Sequence, residues 1–204
     1  LAFGFLAHAP LLGRGFDWCR LVLGVHTPAS PWLEAVATLM LAVGTYRAIR
    51  SVQAWRRHRC TDAGLPAVVG NQAWFAYVLP GPGRRVALSS ALVEALERDE
   101  LEVVLAHERG HANHRHDRHL MAAEVAAALV PPLEWLRRRL RFALERWADE
   151  DAVAALGGDR ERVARTLARV ALGPSSGAHS VAAFSGLGVA ARVEALLDPR
   201  PLSK

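Results

Sequence analysis

Two histidines and a glutamate near the middle of the chain form a pattern that can do hydrolytic chemistry. His107, Glu108 and His111 make an H-E-x-x-H sequence within the stretch from Leu101 to His114. Residues four apart on a helix share one face, so both imidazoles can reach a single metal ion. Glu108 lies beside that face, where a general base can take a proton from a metal-activated water. The pattern predicts a metal site; the alternative is an ordinary amphipathic helix in a histidine-rich region.

A catalytic zinc ion takes three protein ligands, so a third must come from elsewhere in the chain. Glu145 and Asp149 lie four residues apart on one face of a second predicted helix. Glu145 can supply the third ligand, and Asp149 can orient a ligand imidazole through a hydrogen bond. A solvated acidic face is the alternative for this pair. Asp117 is a rival ligand at metzincin spacing, but His114 stands where that pattern needs a turn glycine.

The arrangement of these residues resembles that of the gluzincin membrane peptidases. H-E-x-x-H followed by a downstream E-x-x-x-D is shared by the BlaR/MecR-type antibiotic-sensor peptidases and by the heat-shock and CaaX-prenyl membrane proteases. The sequence VALSSALVEALERDELEVVLAHERGHANHRHD looks closest to the first family, and ARVEALL, Ala191 to Leu197, resembles its closing segment. The resemblance covers roughly Val68 to Leu197.

This resemblance implies a zincin-like peptidase core that binds Zn²⁺. The ligands that it implies are His107, His111 and Glu145. Glu108 would be the general base, and Arg192 would help to stabilise the oxyanion as a second catalytic residue. In the heat-shock branch a His-Pro pair precedes the late arginine, whereas this chain has Ser185-Gly186-Leu187 before Arg192.

Charge and length narrow the class of protein. The 204 residues suffice for one sizeable core. The net charge is +5, and Lys204 is the only lysine among the 25 basic residues. No nucleic-acid-binding motif accompanies this charge, so we expect no nucleic-acid partner. The basic excess fits membrane lipid with anionic headgroups, and the expected substrate is a protein or peptide. The pattern leaves the oligomeric state open.

An uncharged run from Ala35 to Tyr46 predicts a transmembrane helix. Arginines are frequent between Arg47 and Arg59 and rare before the run, so the positive-inside rule places the metal site in the cytoplasm. A basic helix lying on the membrane surface is the alternative. Leu120 to Trp135, interrupted by a double proline, predicts a re-entrant or interfacial helix. The chain begins at Leu1 without a methionine. We expect that it belongs to a multi-pass cell-membrane protein and that further segments precede Leu1.

The predicted fold class is mainly α with a small β-hairpin or sheet (α+β), combined with transmembrane helices. Residues 1–60 are expected to be membrane-associated segments and a loop, residues 61–198 the gluzincin metallopeptidase domain, and residues 199–204 a tail. Two strands, Val68–Leu79 and Arg84–Leu88, are predicted to form a hairpin.

Local sequence patterns predict further features near the helix that carries His107 and His111. Val86 to Leu88 is expected to be an edge strand that binds substrate by β-augmentation. Asp99 with Glu102 predicts a capping box at the start of the helix. Gly110 lets another backbone or a substrate come close to the motif. The remaining histidines, which are His114, His116 and His119, are predicted to form a solvated face.

The predicted function is a membrane-associated zinc metalloendopeptidase that hydrolyses internal peptide bonds. Two alternatives come from other classes of protein. One is a signalling protein of the antibiotic-sensor type that cleaves a cytoplasmic repressor. The other is a catalytically silent, metal-stabilised scaffold. Processing of prenylated proteins is a further enzymatic option.

Overall fold

The computed structural model describes residues 31–62, 68–79, 85–174 and 188–198. This part of the chain is mainly helical with one three-stranded sheet, which confirms the α+β class. The chain divides into two compact units, residues 1–42 and residues 43–204. The domain boundary expected after residue 60 stays a prediction.

Seven helices and three strands make up the described residues. The helices are α1 (Pro31–Asp62), α2 (Ser90–Ala95), α3 (Arg98–Asn113), α4 (His116–Leu129), α5 (Glu134–Ala155), α6 (Arg160–Leu172) and α7 (Val189–Leu197). The strands are β1 (Val68–Val69), β2 (Ala76–Val78) and β3 (Val86–Ser89). A 3-10 turn, Pro131–Leu133, connects α4 to α5.

The sheet corrects two predictions about its strands. Its order is β1-β3-β2, with β1 parallel and β2 antiparallel to β3. Val68 to Leu79 was predicted as one strand, but Asn71 Oδ1 accepts a hydrogen bond from the Ala73 backbone at 2.8 Å and turns the chain between β1 and β2. β3 is the central strand, so the expectation that Val86 to Leu88 forms an edge for substrate is wrong.

α3 is held by burial along one face and by its cap. Val103 and Val104 join an apolar core with residues of β3, α2, α5, α6 and α7. The helix begins two residues earlier than predicted, because Glu97 and Glu100 form the capping box rather than Asp99 and Glu102. The Glu97 backbone N–H donates to Glu100 Oε2 at 2.9 Å. This packing fixes α3 against its neighbours and so fixes the motif.

The transmembrane prediction is not supported within the described residues. The apolar run from Ala35 to Tyr46 lies in α1 and the stretch after Leu120 lies in α4, but none of the helices described is long and apolar enough to cross a membrane. In α1 the uncharged run is too short, since Arg47 follows Tyr46 directly. Leu39, Met40 and Tyr46 are exposed. The membrane segments predicted before residue 31 lie outside the described residues.

Candidate metal centre

His107, His111 and Glu145 meet between α3 and α5, as the sequence predicted. One ligand atom from each lies within 4.8 Å of the others. The two imidazole Nε2 atoms are 3.1 Å apart. Glu145 Oε2 lies 3.5 Å from His107 Nε2, and Glu145 Oε1 lies 3.7 Å from His111 Nε2. The three side chains therefore point at one small volume and could hold a metal ion. Asp117, the rival ligand, is exposed and is not part of this group.

Gly110 explains why α3 and α5 can approach so closely. A Cβ atom at this position would lie 3.0 Å from Asp151 Oδ2 and 3.3 Å from the Ala148 Cα. The contacting residues belong to α5, the helix that carries Glu145. The missing side chain thus makes room for a neighbouring backbone.

Behind the two imidazoles and Glu145 lies a buried charge network. His107 Nδ1 is 3.0 Å from Asp149 Oδ1, on the side of the ring opposite Nε2. The Arg192 guanidinium donates from Nε and Nη2 to the Asp149 carboxylate at 2.8 and 2.6 Å. Its Nη1 lies 3.2 Å from Glu145 Oε2. Arg192 is only 1% exposed, so α7 places a buried positive charge beside Asp149 and Glu145.

The charges in this network shift one another's proton affinities. Burial lowers the pKa of His107, but hydrogen bonds to Asp149 and Glu145 outweigh it and raise that pKa to about 9. Burial raises the pKa of Glu145, but contacts with His107 and His111 lower it on balance to about 2. The pKa of Asp149 is also lowered, because its bonds to Arg192 and His107 outweigh its burial. Without a metal ion, the network therefore favours a protonated His107 between ionised carboxylates.

Glu108 differs from the two other carboxylates of the site. It is 2% exposed, and its Oε1 has no hydrogen-bond partner within the described residues. Burial raises the pKa of Glu108 above its ordinary value, and the neighbouring imidazoles oppose that shift. A carboxylate with raised proton affinity beside the converging imidazoles has the property that a general base needs.

The residues present fit a divalent metal ion. Two imidazoles and one carboxylate form a ligand set found in catalytic zinc sites. The unpaired Glu108 oxygen is a buried polar atom that requires a partner, such as a water molecule near the ligands. Buried carboxylates beside imidazole nitrogens are also stabilised by a cation among them.

His116 corrects the prediction of a solvated histidine face. It is 1% exposed, and its Nδ1 lies 2.7 Å from His111 Nδ1. Burial is the main reason why the pKa of His116 is lowered to about 4, with the nearby His111 and His114 adding to the shift. On an unbroken helix its position would not face His111, so the spacing alone gave no signal. His119 is exposed, as predicted.

The chain is similar in sequence to known proteases. The profile of peptidase family M48 matches residues 58–171. The chain is similar to a protein named protease HtpX homolog from Picrophilus torridus, with 42% identity over 67 residues, covering 33% of this chain and 20% of that protein. It is 41% identical over 119 residues to protease HtpX homolog 2 of Saccharolobus solfataricus, covering 58% of this chain and 34% of that protein. The corresponding protein of Saccharolobus islandicus gives 41% identity over 119 residues, covering 58% and 33%.

These matches define what the similarity covers. The chain spans about a third or less of the length of these relatives. No solved structure gives a significant match. The matches support the heat-shock-protease branch of the resemblance, and they do not show the antibiotic-sensor branch.

Proposed function

The chain belongs to peptidase family M48, and from that premise we propose that it is a zinc-dependent endopeptidase of the heat-shock-protease type. One observation carries the proposal: the ligand atoms of His107, His111 and Glu145 converge beside the buried carboxylate of Glu108. The substrate class is a protein or peptide with an internal bond to be cleaved. Two helices supply all four side chains, so the packing of α3 on α5 decides whether the site forms.

The residues that would hold zinc are His107, His111 and Glu145. When bound, zinc supplies Lewis-acid chemistry, polarising a peptide carbonyl and making water more acidic. Glu108 accepts the proton from the attacking water and then donates it to the leaving amine nitrogen. The raised pKa of Glu108 suits this double task, because the carboxyl must hold the proton between the two transfers.

Asp149 and Arg192 act on the reaction through the ligands. Asp149 accepts a hydrogen bond from His107 Nδ1–H, which directs Nε2 of that ring toward Glu145. Arg192 holds Asp149 and offsets the negative charge of Glu145. The predicted role of Arg192 in stabilising the oxyanion would require its guanidinium to leave both carboxylates. We therefore assign Arg192 as a positioning residue.

Membrane association, with the site on the cytoplasmic side, remains part of the proposal. Two observations support contact with lipid. Large apolar side chains of α1, including Trp32, Leu39 and Met40, are exposed. The sequence is rich in arginine, and basic side chains are attracted to anionic headgroups.

The test is cleavage of an unfolded protein such as casein by the purified chain loaded with zinc. Glu108→Gln should keep the metal and lower the rate by about 10²–10⁴-fold, since it removes a general base. Glu102→Gln, on the exposed side of the same helix, is the matched control and should cleave normally. A Glu108→Gln variant with the normal rate would refute the assigned base. A zinc-loaded wild type that cleaves nothing would favour the silent scaffold.

A further inference from the structure

The break between α3 and α4 places a fourth histidine against the metal ligands. α3 ends at Asn113 and α4 begins at His116. On a continuous helix His116 would be turned by about 140° from His111, because each residue advances about 100°. Instead, the chain passes through a left-handed conformation at Arg115, with φ 53°, and His116 turns back over His111.

The left-handed backbone conformation of Arg115 has an energetic cost. Arg115 is the sole residue other than glycine with positive φ in the part of the chain that the structure describes. Left-handed backbone costs about 1 kcal/mol or more for a residue with a Cβ atom. The result is a contact of 2.7 Å between His111 Nδ1 and His116 Nδ1. Strained backbone of this kind clusters at functional sites.

His116 packs against His114, which directly follows α3, and against Trp147 of α5. Its ring lies 5.7 Å from the ring of His114 in a stacked orientation and 5.5 Å from the ring of Trp147. His114 Nε2 is 2.9 Å from Asp151 Oδ2, which ties the turn to α5. Trp147 and Asp151 follow Glu145 on that helix. The His116 ring therefore lies beside two rings, one at the end of α3 and one on α5.

We propose that His116 is a positioning residue that accepts a hydrogen bond from Nδ1–H of His111 and so directs Nε2 of His111 to the metal. This inference rests on the proposed function. The two nitrogens of an imidazole have complementary roles, and the partner of one decides which tautomer is present. His111 Nε2 already faces His107 and Glu145, so Nδ1 is the nitrogen that needs an acceptor. His107 has the Asp149 carboxylate for this purpose, whereas His111 has a second imidazole.

A matched pair of substitutions separates the acceptor from the bulk of the ring. His116→Asn puts an amide oxygen at the position of Nδ1, and His116→Leu has similar size without an acceptor. Both remove the ring, so both lose the same packing. The readouts are the Co²⁺ dissociation constant of the metal-free chain, by competition with a chelator, and the visible absorption spectrum of the Co²⁺ form.

His116→Leu should weaken Co²⁺ binding by about 10–100-fold and change the spectrum, as loss of a ligand's hydrogen-bond partner does. His116→Asn should retain most of the affinity and the wild-type spectrum. His119→Leu is the control, because His119 is exposed and its ring is 6.4 Å from that of His116. Equal losses in the Leu and Asn variants would overturn the proposal, since the ring would then act only through packing.

Three further outcomes distinguish a failure of the His116 role from a failure of the proposed metal site. If wild type binds Co²⁺ and Glu145→Ala does not, but both His116 variants bind normally, the role of His116 alone is refuted. If wild type binds no Co²⁺, the metal site and this inference fail together. Nitrogen-15 NMR of the zinc-loaded wild type needs no variant to fold. It should show His116 Nδ1 without a proton, and a protonated Nδ1 would overturn the proposal.

Discussion

The Arg192 guanidinium donates two hydrogen bonds to the Asp149 carboxylate, of 2.8 Å from Nε and 2.6 Å from Nη2. Asp149 Oδ1 in turn lies 3.0 Å from His107 Nδ1. The last described helix is thereby joined to a proposed metal ligand through one carboxylate. His107, Asp149 and Arg192 are all buried. Each of these charged side chains therefore depends on its neighbour to compensate its charge.

Arg192→Met should therefore destabilise the metal-free protein strongly. It leaves Asp149 and Glu145 buried without their cation, and breaking a buried ion pair costs about 3–5 kcal/mol. Urea unfolding of the metal-free chain measures the loss. Arg138→Met, at a side chain that is 71% exposed, should cost no more than about 1 kcal/mol. Equal small losses in both variants would show that the network is not coupled as described.

Gly110→Ala should weaken zinc binding although alanine favours a helix by about 1 kcal/mol over glycine. The added Cβ would press on Asp151 and the Ala148 Cα and move α5, which carries Glu145. Competition with a chelator measures the zinc affinity. Gly70→Ala is the control, since nothing lies within 4 Å of a Cβ at that position. If Gly110→Ala bound zinc as tightly as wild type, close approach of the two helices would not matter for the site.

Zinc binding should release about one proton at pH 7, because coordination requires neutral imidazoles. The pKa of His107 is about 9 in the metal-free protein, so this ring is protonated at pH 7 and must lose its proton to bind metal. Affinity should rise by about tenfold per pH unit up to about 9, where the dependence on this group ends. Calorimetry in buffers of different ionisation enthalpy counts the protons released. Binding heats that do not vary with the buffer would contradict the prediction.

Asp149→Asn provides a matched test of the cause. Removing this carboxylate removes the largest single interaction that raises the pKa of His107. Proton release at pH 7 should then fall below that of wild type, while the side chain keeps its size. An unchanged count would place the proton on another group.

The sequence revealed the parts of the site that depend on regular local structure. The four-residue spacing of His107 and His111 needs only a helix, and α3 provides one over Arg98–Asn113. Glu145 followed from the ligand number of zinc and from the resemblance. The close approach at Gly110 was also expected, although whether a backbone or a substrate would use it was not.

The features that the sequence did not reveal depend on non-local geometry. Asn71 divides a stretch that is apolar enough for one strand, and the pairing of β1 with β3 then removes β3 from the edge of the sheet. His116 became a neighbour of His111 only through the left-handed turn at Arg115, and arginine carries no signal for that conformation. The burial of Arg192 depends on α7 packing behind α5, which no local pattern predicts.

The most direct test of the metal centre is the zinc content of the purified chain after dialysis, compared with that of Glu145→Ala. Glu150→Ala, at a residue of the same helix that pairs with Arg160, is the control. We expect about one zinc ion per chain in wild type and in the control, and a large loss of zinc in Glu145→Ala. Zinc retained at full occupancy and unchanged affinity in Glu145→Ala, or a wild type that binds none, would contradict this expectation.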